Sequence, residues 1–465
     1  MESSISSEPN GSEVPLINKD GTERSIWMVL ISTAVAICGS FEFGSCVAFT
    51  GPTQSGIMKE MEVSLAQFAI VGSILTIGAM VGAITSGRIG DVLGRKGAMR
   101  MSALFCIVGW LAIYFAEDVL LLYFGRLSTG VGIGVFSYVV PVFIAEIAPK
   151  NLRGGLTALN QLLICAGVSV TYLVGVLVPW RSLALTGIIP CLLLFAGLFF
   201  VPESPRWLAK VGNQELFVDA LHRLRGRDAD ISDEAAEIHD YIDTLDSLPK
   251  PRFVDLFKEM DHDQVGVGLM AFQQFGGING IVFYSTQMFV SAGFSSGDLG
   301  NILLGCSQVP IVAIGAILAD NCGRKPLLLV SSSGTFLGCL LAAIALFLEG
   351  QGQKAGWTSI LTLCGILVYC GSFGIGMGAI PWIIMSEIFP INVKGMAGSL
   401  VTLMNWFGAW TLSFSFNFLM SWSSWGTFAI FTVVCAANVI FVIFLVPETK
   451  GRTLEEIQAS MNSSS

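Results

Sequence analysis

The feature that most constrains this chain is a series of twelve apolar runs, each long enough to cross a bilayer core of about 30 Å. A backbone surrounded by hydrocarbon must satisfy its own hydrogen bonds, so these runs predict helices. Only 13% of the residues are charged, whereas soluble domains have about 25%. We therefore predict an all-α membrane protein. The runs cover approximately residues 26–49, 66–87, 98–116, 119–140, 156–178, 183–201, 264–291, 299–319, 326–348, 357–385, 396–419 and 425–446.

The first six runs and the last six carry the same motifs in the same order, which indicates a duplicated six-helix unit. The paired motifs are Gly87–Lys96 with Ala316–Lys325, Glu146–Gly154 with Glu387–Gly395, and Pro202–Arg206 with Pro447–Lys450. Five parts follow from this pattern. They are a disordered tail (1–25), a six-helix bundle (26–201), a helical linker (202–263), a second six-helix bundle (264–446) and a C-terminal tail (447–465).

Lys and Arg are concentrated in alternate loops, most clearly in the segment from Arg88 to Arg100. The positive-inside rule therefore places both termini and the linker in the cytoplasm. The tail sequence Glu13-Val-Pro-Leu16-Ile17 resembles an acidic dileucine sorting signal with one spacer residue too few. It favours the vacuolar membrane slightly, and the plasma membrane stays open as the alternative.

Acidic and basic residues recur at matched places at the cytoplasmic ends of the two halves. Since exposed ion pairs are worth only about 0–1 kcal/mol each, such charges suit a latch that pairs when the halves meet and opens when they part. The alternative is that they are ordinary positive-inside anchors. The predicted gating residues are Asp91, Arg95, Glu146, Arg153, Glu203, Arg206, Asp320, Arg324, Glu387 and Glu448.

Three carboxamides, Gln273, Gln274 and Asn279, lie in a seventh run that otherwise reads as membrane-buried. A buried amide is costly unless it is hydrogen-bonded, so it faces a partner helix or a polar cavity. Amides offer donors and acceptors without net charge, as binding of a neutral polyhydroxylated solute requires. The alternative is that they only hold helices together. A duplicated bundle with a polar site between its halves is typical of an alternating-access transporter.

These motifs together resemble those of the sugar porter family of the major facilitator superfamily, over nearly the whole stretch from Ile26 to Ile457. The residues that carry the resemblance are Gly87–Lys96, Pro202–Leu208, Gln273–Asn279, Pro381-Trp382, Asn405-Trp406 and Pro447–Gly451. Within that family, the short extracellular loops and the segment Phe43–Gln54 are most similar to the plant early-response-to-dehydration type of monosaccharide transporter.

The resemblance implies which residues meet a sugar. It assigns amides on the fifth, seventh, eighth and eleventh helices to the sugar hydroxyls and two indole rings to its apolar face. The implied residues are Gln161, Gln273, Gln274, Asn279, Gln308, Trp382, Asn405 and Trp406. A glucose- or fructose-like hexose is the implied substrate.

Energy coupling can be read in two ways. The resemblance places Thr50 where proton-coupled relatives carry an aspartate, and Gly374 where many relatives carry a glutamate. Both differences favour facilitated diffusion. Glu42, however, lies within the first run, and an acid inside a span is a functional candidate by default. Proton symport through Glu42 is therefore the alternative.

Other classes of function are disfavoured. The eleven cysteines are scattered singly and the three histidines lie outside the apolar runs, so no metal motif is predicted. An enzyme would need a nucleophile with its base, or metal ligands, within the bundle. A transporter-like sugar sensor would usually carry a longer cytoplasmic tail. We expect neither a cofactor nor a nucleic acid partner. The expected partners are a neutral sugar and the lipid bilayer, and the chain is expected to function as a monomer.

Overall fold

The computed structural model describes residues 26–149, 152–247, 260–291, 297–352, 356–388 and 394–450, and their regular secondary structure is helical throughout. The tail predicted at 1–25 and residues 451–465 lie outside this part of the chain. The helices are α1 (Trp27–Ala48), α2 (Thr50–Glu60), α3 (Leu65–Tyr114), α4 (Val119–Ile147), α5 (Arg153–Leu177), α6 (Trp180–Gly197), α7 (Pro205–Lys210), α8 (Gln214–Arg225), α9 (Ser232–Ser247), α10 (Met260–Phe275), α11 (Ile278–Phe283), α12 (Ser285–Ser291), α13 (Asp298–Cys322), α14 (Arg324–Gly350), α15 (Gly356–Ser372), α16 (Ile380–Ile388), α17 (Lys394–Trp422) and α18 (Ser424–Leu445).

Twelve membrane crossings can be traced in the described residues. Ten helical segments are long and apolar enough to cross a membrane. One of them, α3, provides two crossings, because its 50 residues are divided at Gly94, which has a φ of 76°. The 29 residues of α17 span about 43 Å at 1.5 Å per residue, and α17 supplies the one crossing still missing from the count, the eleventh in chain order. The predicted twelve-helix architecture is confirmed.

The two halves of the bundle pack as helical groups and meet along two seams. Helices α1, α3, α4, α5 and α6 pack together in the first half, and α14 packs against α15 and α18 in the second. Between the halves, α3 packs against α17 and α5 against α13. Glycine allows the closest approaches: a Cβ on Gly78 would lie 2.3 Å from the Leu127 carbonyl oxygen, as small residues permit at helix contacts in membranes.

Three short helices of the linker, α7, α8 and α9, form their own apolar cluster around Phe217 and Leu221. This cluster is fastened to the first half. Arg225 donates to the Ile147 carbonyl oxygen at 2.9 Å and pairs with Glu234 at 2.7 Å. Lys210 of α7 also pairs with Asp91 of α3 at 3.0 Å. The linker helices are therefore attached to the end of the first half that carries Arg95.

Two crossings of the second half are discontinuous. The seventh breaks at Gly277, whose φ of 113° is a left-handed conformation that favours glycine. The tenth contains a π-helical turn, Phe373–Met377, in a glycine-rich segment. Such breaks free backbone groups from the helical ladder and commonly mark functional sites in membrane transporters. Both breaks lie beside the amides described next.

Candidate functional site

Side-chain amides of the seventh and eleventh crossings form one hydrogen-bonded network. The Gln274 Nε2 donates to the Asn405 Oδ1 at 2.5 Å and to the Gln273 Oε1 at 3.3 Å. The Asn279 Nδ2 donates to the Gln274 Oε1. Gln274 and Asn405 are only 6% and 8% exposed, so water competes little and the network holds each amide in a defined orientation. Four of the eight residues assigned to sugar binding thus lie together.

The network leaves two polar atoms for a ligand. Within the described residues, the Asn405 Nδ2 and the Asn279 Oδ1 have no hydrogen-bond partner in the protein, and neither is sealed off from solvent. One is a donor and the other an acceptor. A hydroxyl group both donates and accepts, so this pair matches a polyol and bears no net charge.

Gln273 is turned toward the break in the tenth crossing. Its Nε2 donates to the carbonyl oxygens of Met377 and Gly378 at 2.6 and 3.3 Å. On the other side of the turn, the Met377 N–H donates to the Ser331 Oγ at 2.8 Å. These bonds satisfy backbone groups that the π-helical turn leaves without helical partners. Gln273 therefore braces the tenth crossing and supports Gln274 through its Oε1.

The two tryptophans assigned to the sugar face lie in different surroundings. The Trp406 ring is 6% exposed and lies 5.8 Å from the Phe43 ring, centroid to centroid. This contact joins the eleventh crossing to the first, across the two halves. Trp382 is half-buried and packs at the edge of the apolar core of the second half. Phe43 was not identified from the sequence, since nothing in its spacing separates it from the other apolar residues of α1.

The remaining two amides belong to helices that pack against each other across the two halves. Gln161 on α5 is half-buried, and its Nε2 lies 3.7 Å from the Cys165 Sγ one turn later. Gln308 on α13 is also half-buried. Helices α5 and α13 pack against each other. In the described residues, neither amide is hydrogen-bonded to the Gln274 network.

The gating charges of the first half form a connected cluster. Arg95 binds Glu146 through two hydrogen bonds of 2.8 Å, the bidentate geometry that makes arginine–carboxylate pairs strong. The Ser204 hydroxyl also donates to Glu146, at 2.6 Å. Asp91 accepts from Arg95 at 3.4 Å and from Lys210 at 3.0 Å. The cluster joins α3, α4 and α7.

Glu203 caps the helix that begins after the turn at Gly94. Its carboxylate accepts from the Lys96 N–H at 3.1 and 3.3 Å, where the third crossing begins. A carboxylate at a helix N-terminus satisfies free N–H groups and interacts favourably with the helix dipole. Burial raises the pKa of the Glu203 carboxyl, although the backbone N–H groups of Ser204 and Lys96 act to lower it.

The second half repeats this arrangement. Glu448 accepts from the N–H groups of Arg324 and Lys325 at 3.0 and 3.1 Å, beside Gly323 with a φ of 89°. The Arg324 guanidinium pairs with Glu387 at 3.0 Å. The duplication seen in the sequence is therefore also a duplication of contacts. The side chain of Asp320, a further predicted gating residue, lies outside the described part of the chain.

In this conformation the Arg95–Glu146 pair lies within the first half and the Arg324–Glu387 pair within the second. Arg206 lies over the Tyr241 ring at 5.3 Å, within the linker. Arg153 is near Arg206, Glu234 and Glu237. The charges thus brace each half and its linker helices in the conformation described here.

Glu42 faces the interior of the first half. Its Oε1 accepts from the Trp110 Nε1 at 2.5 Å and from the Cys46 Sγ at 3.0 Å, and the residue is 0% exposed. Its neighbour Phe43 instead contacts Trp406 in the other half. The carboxylate therefore points away from the surface where the amide network lies.

Arg126 was missed in the sequence, although a single basic residue inside an apolar run is a clear signal. It is 0% exposed on α4 and donates to the carbonyl oxygens of Cys46 and Val71 at 2.8 and 3.3 Å. Its Nη2 has no partner in the described residues.

A second group of contacts lies at the opposite end of the bundle from Arg95. Glu60, the last residue of α2, accepts from the Trp180 Nε1 at 2.6 Å and from the Arg181 Nε at 2.9 Å. Arg181 also donates to the carbonyl oxygens of Tyr114 and Ala116 at 2.7 and 2.8 Å. Sequence spacing gave no signal for this cluster, because its members come from the ends of three helices that are far apart in the chain.

Comparisons with known proteins agree with this geometry. The family model described as "Sugar (and other) transporter" matches residues 33–461. Sugar transporter ERD6-like 7 of Arabidopsis thaliana is 58% identical over 453 residues, which cover 96% of this chain and 98% of the relative. The inward open conformation of the xylose transporter XylE from E. coli superposes with a TM-score of 0.78, at 25% identity over 93% of this chain and 99% of that one. The proton:xylose symporter XylE bound to 6-bromo-6-deoxy-D-glucose gives a TM-score of 0.76, with the same identity and coverage.

Proposed function

The chain belongs to the sugar porter family of the major facilitator superfamily, and from this premise we propose that it carries neutral monosaccharides, glucose- or fructose-like hexoses, by alternating access. Family membership makes it a multi-pass membrane sugar transporter and not an enzyme. The substrate class and the transport mode are what the proposal adds.

The amide network is the observation that carries the proposed substrate. Asn405 and Asn279 offer one free donor and one free acceptor, both uncharged, and Asn405 directly precedes Trp406 in the chain. An anionic solute would gain no cation from this network, whereas a sugar can place hydroxyls on the amides and C–H groups on the indole. The network is already hydrogen-bonded without ligand, which lowers the entropic cost of binding.

The contacts between the halves support alternating access. Near the Glu60 end, the Tyr172 hydroxyl donates to the Val282 carbonyl oxygen at 2.6 Å, and the Phe68 and Tyr284 rings lie 6.3 Å apart, centroid to centroid. The halves therefore touch at this end, while the Arg95 and Arg324 pairs close within their own halves. We propose that the conformation is open toward the Arg95 end and that these charges exchange partners across the halves when that end closes.

Facilitated diffusion is the proposed transport mode. Glu42 accepts hydrogen bonds from Trp110 and Cys46 inside the first half, away from the amide network. A proton on Glu42 would have no direct contact with the sugar. Proton symport through Glu42 is the second candidate, favoured by the structural similarity to a protein named as a proton:xylose symporter.

The membrane, the orientation and the organisation of the chain are proposed from the sequence. Both termini and the Arg95 end face the cytoplasm, with the vacuolar membrane favoured over the plasma membrane. The chain works as a monomer, with its two bundles at 26–201 and 264–446 joined by the linker at 202–263.

Uptake of radiolabelled glucose, fructose and xylose into proteoliposomes tests the proposed function. We expect saturable uptake of a neutral hexose, unaffected by excess gluconate, an anionic analogue of similar size. Uptake of gluconate in preference to the hexoses would contradict the substrate class. Sugar binding without any uptake would instead indicate a sensor.

A further inference from the structure

A carboxylate and three thiols converge in the core of the first half, away from the amide network of the second half. Glu42 and Cys46 lie on α1, Cys106 on α3 and Cys191 on α6. One carboxylate oxygen of Glu42 and the sulfurs of Cys46 and Cys106 all lie within 4.8 Å of one another. Cys191 is a neighbour of both Glu42 and Cys106, outside the group whose donor atoms all lie within 4.8 Å of one another. All four side chains are 0% exposed.

The polar groups of this cluster are not fully satisfied by the protein. Within the described residues, the Glu42 Oε2 has no hydrogen-bond partner of good geometry. A buried carboxylate oxygen without a partner is costly, and buried charges are normally paired or bound to a metal. Thiols are weak hydrogen-bond donors, so they compensate this carboxylate poorly. The cluster is therefore better suited to binding a cation than to satisfying the Glu42 carboxylate by hydrogen bonds alone.

Arg126 adds a charge that also needs balance. Its guanidinium donates to the Cys46 carbonyl oxygen and forms no ion pair with an acid in the described part of the chain. A cluster with a net negative charge beside Cys46 would offset this guanidinium. Two buried groups, one of each sign, thus flank the same turn of α1.

We propose that Glu42, Cys46, Cys106 and Cys191 bind one thiophilic divalent cation, Zn²⁺. Three sulfurs and one carboxylate oxygen form a ligand set that zinc accepts in tetrahedral geometry, at about 2.3 Å to sulfur and 2.0–2.2 Å to oxygen. Those bond lengths place the donor atoms about 3.5–3.8 Å apart, and the donor atoms of Glu42, Cys46 and Cys106 already lie within 4.8 Å of one another. Binding deprotonates the three thiols and releases all three protons to solvent. Zn²⁺, three thiolates and the carboxylate then carry two negative charges, one of which the Arg126 guanidinium balances.

The bound ion would tie α1 to α3 and α6. The ligands of α1 lie on the side of this helix that faces the first half, since the adjacent Phe43 faces Trp406 of the second half. The ion is therefore a structural clamp and does not touch the sugar. Sequence spacing cannot reveal it, because three helices supply the ligands.

The second half provides an internal control. Cys339 on α14 and Cys435 on α18 lie within hydrogen-bonding reach of each other. No carboxylate accompanies them in the described residues. The residue of the seventh crossing beside Cys435 is Gly276, and a Cβ added to Gly276 would lie 3.6 Å from the Cys435 Sγ. This thiol pair lacks the anionic ligand, so it should not retain zinc.

The test is the metal content of the purified full-length protein. All variants carry serine in place of the exposed Cys306, Cys322 and Cys364, and the affinity tag contains no histidine. After incubation with ZnCl₂ and gel filtration in detergent, we expect about one Zn²⁺ per chain. The control variant C339A/C435A should hold the same amount, and C46S/C106S about tenfold less or none. The isosteric Glu42→Gln should lose its zinc to EDTA several-fold faster.

Sugar uptake shows whether each variant is folded, since none of the substituted residues touches the amide network. Equal zinc in the parent protein and in C46S/C106S, with both active in uptake, would overturn the proposal. So would a parent protein that is active and holds no zinc. Failure of the zinc site would leave the uptake results, and hence the proposed transport function, unaffected.

Discussion

The Gln274 side chain donates to the Asn405 Oδ1 at 2.5 Å, which joins the seventh and eleventh crossings inside the second half. Gln274 also donates to the Gln273 Oε1, so both hydrogens of its amide group are bound to acceptors in the protein. The free donor of the network is therefore on Asn405 and the free acceptor on Asn279. This division of roles makes the contributions of the individual amides testable.

Asn405→Ala should weaken sugar binding. The change removes the free Nδ2 donor and leaves Gln274 with an unpaired amide hydrogen. Each net hydrogen bond is worth about 1 kcal/mol, which corresponds to roughly a fivefold loss of affinity. Binding of the transported sugar to purified protein, measured by calorimetry, checks this expectation.

Asn417→Ala is the matched control on the same helix. Asn417 is 0% exposed and neither of its side-chain polar atoms has a partner in the described residues. Its removal should leave affinity unchanged and cost no stability, since it eliminates an unsatisfied amide. Equal losses of affinity in both variants would show that Asn405 acts through folding and not through the sugar.

Gly94→Ala should destabilise the protein. Gly94 has a φ of 76°, and a Cβ there would lie 2.5 Å from the Glu203 Oε2. With a ψ of 172° this is a backbone region essentially restricted to glycine, which costs a residue with a Cβ about 1–3 kcal/mol, and displacement of the Glu203 carboxylate adds to this. Thermal unfolding in detergent should show a lower midpoint. Gly87→Ala is the control, since a Cβ there meets nothing within 4 Å, and a similar drop in that variant would refute the explanation.

Arg95→Gln should slow turnover and leave sugar affinity nearly intact. The change breaks both hydrogen bonds to Glu146, at a distance from the amide network. A tenfold loss of turnover corresponds to about 1.4 kcal/mol on the barrier, which is in the range of one charge-assisted hydrogen bond. Exchange across proteoliposomes gives turnover, and calorimetry gives affinity.

Arg88→Gln is the control for this prediction. Arg88 is exposed on the same helix, about two turns before Arg95, and should be silent in both measurements. If Arg95→Gln lowers affinity and not turnover, the gating role is wrong.

The Glu60 contacts should persist at moderately acidic pH. Arg181 first and Trp180 second lower the pKa of the Glu60 carboxyl in the folded protein. A carboxyl with a lowered pKa contributes stability above its unfolded value, about 4.3, and loses it as the pH falls through the lower folded value. The difference in melting temperature between wild type and Glu60→Gln should stay constant from pH 7 to pH 5 and shrink below about pH 4. A difference already lost at pH 6 would contradict this assignment.

The fold was predictable because hydrocarbon leaves a spanning chain few options. The apolar runs marked the crossings, and the repeated motifs at Asp91 and Glu146 marked the duplication. The break at Gly277 was not predicted as a left-handed residue, since its conformation depends on packing against Phe431. The π-helical turn at Phe373–Met377 was likewise invisible, although its glycines were noticed.

The sequence pointed to the members of the amide network but not to the hydrogen bonds that connect them. Amides inside an apolar run identified Gln274 and Asn279, and the family resemblance added Asn405. Sequence did not show that Gln273 is bound to the backbone of Met377, because that contact depends on how two broken helices meet. The direction in which Glu42 points could not be predicted from the sequence either. Glu42 and Phe43 are consecutive residues of α1, yet one faces the interior of the first half and the other faces Trp406.

The most direct test of the account is sugar accumulation in proteoliposomes with and without an imposed pH gradient. Facilitated diffusion predicts that internal sugar rises to the external concentration and stops there, with or without the gradient, in wild type and in Glu42→Gln alike. Accumulation above the external concentration that requires the gradient and disappears in Glu42→Gln would contradict the account and establish proton symport through Glu42.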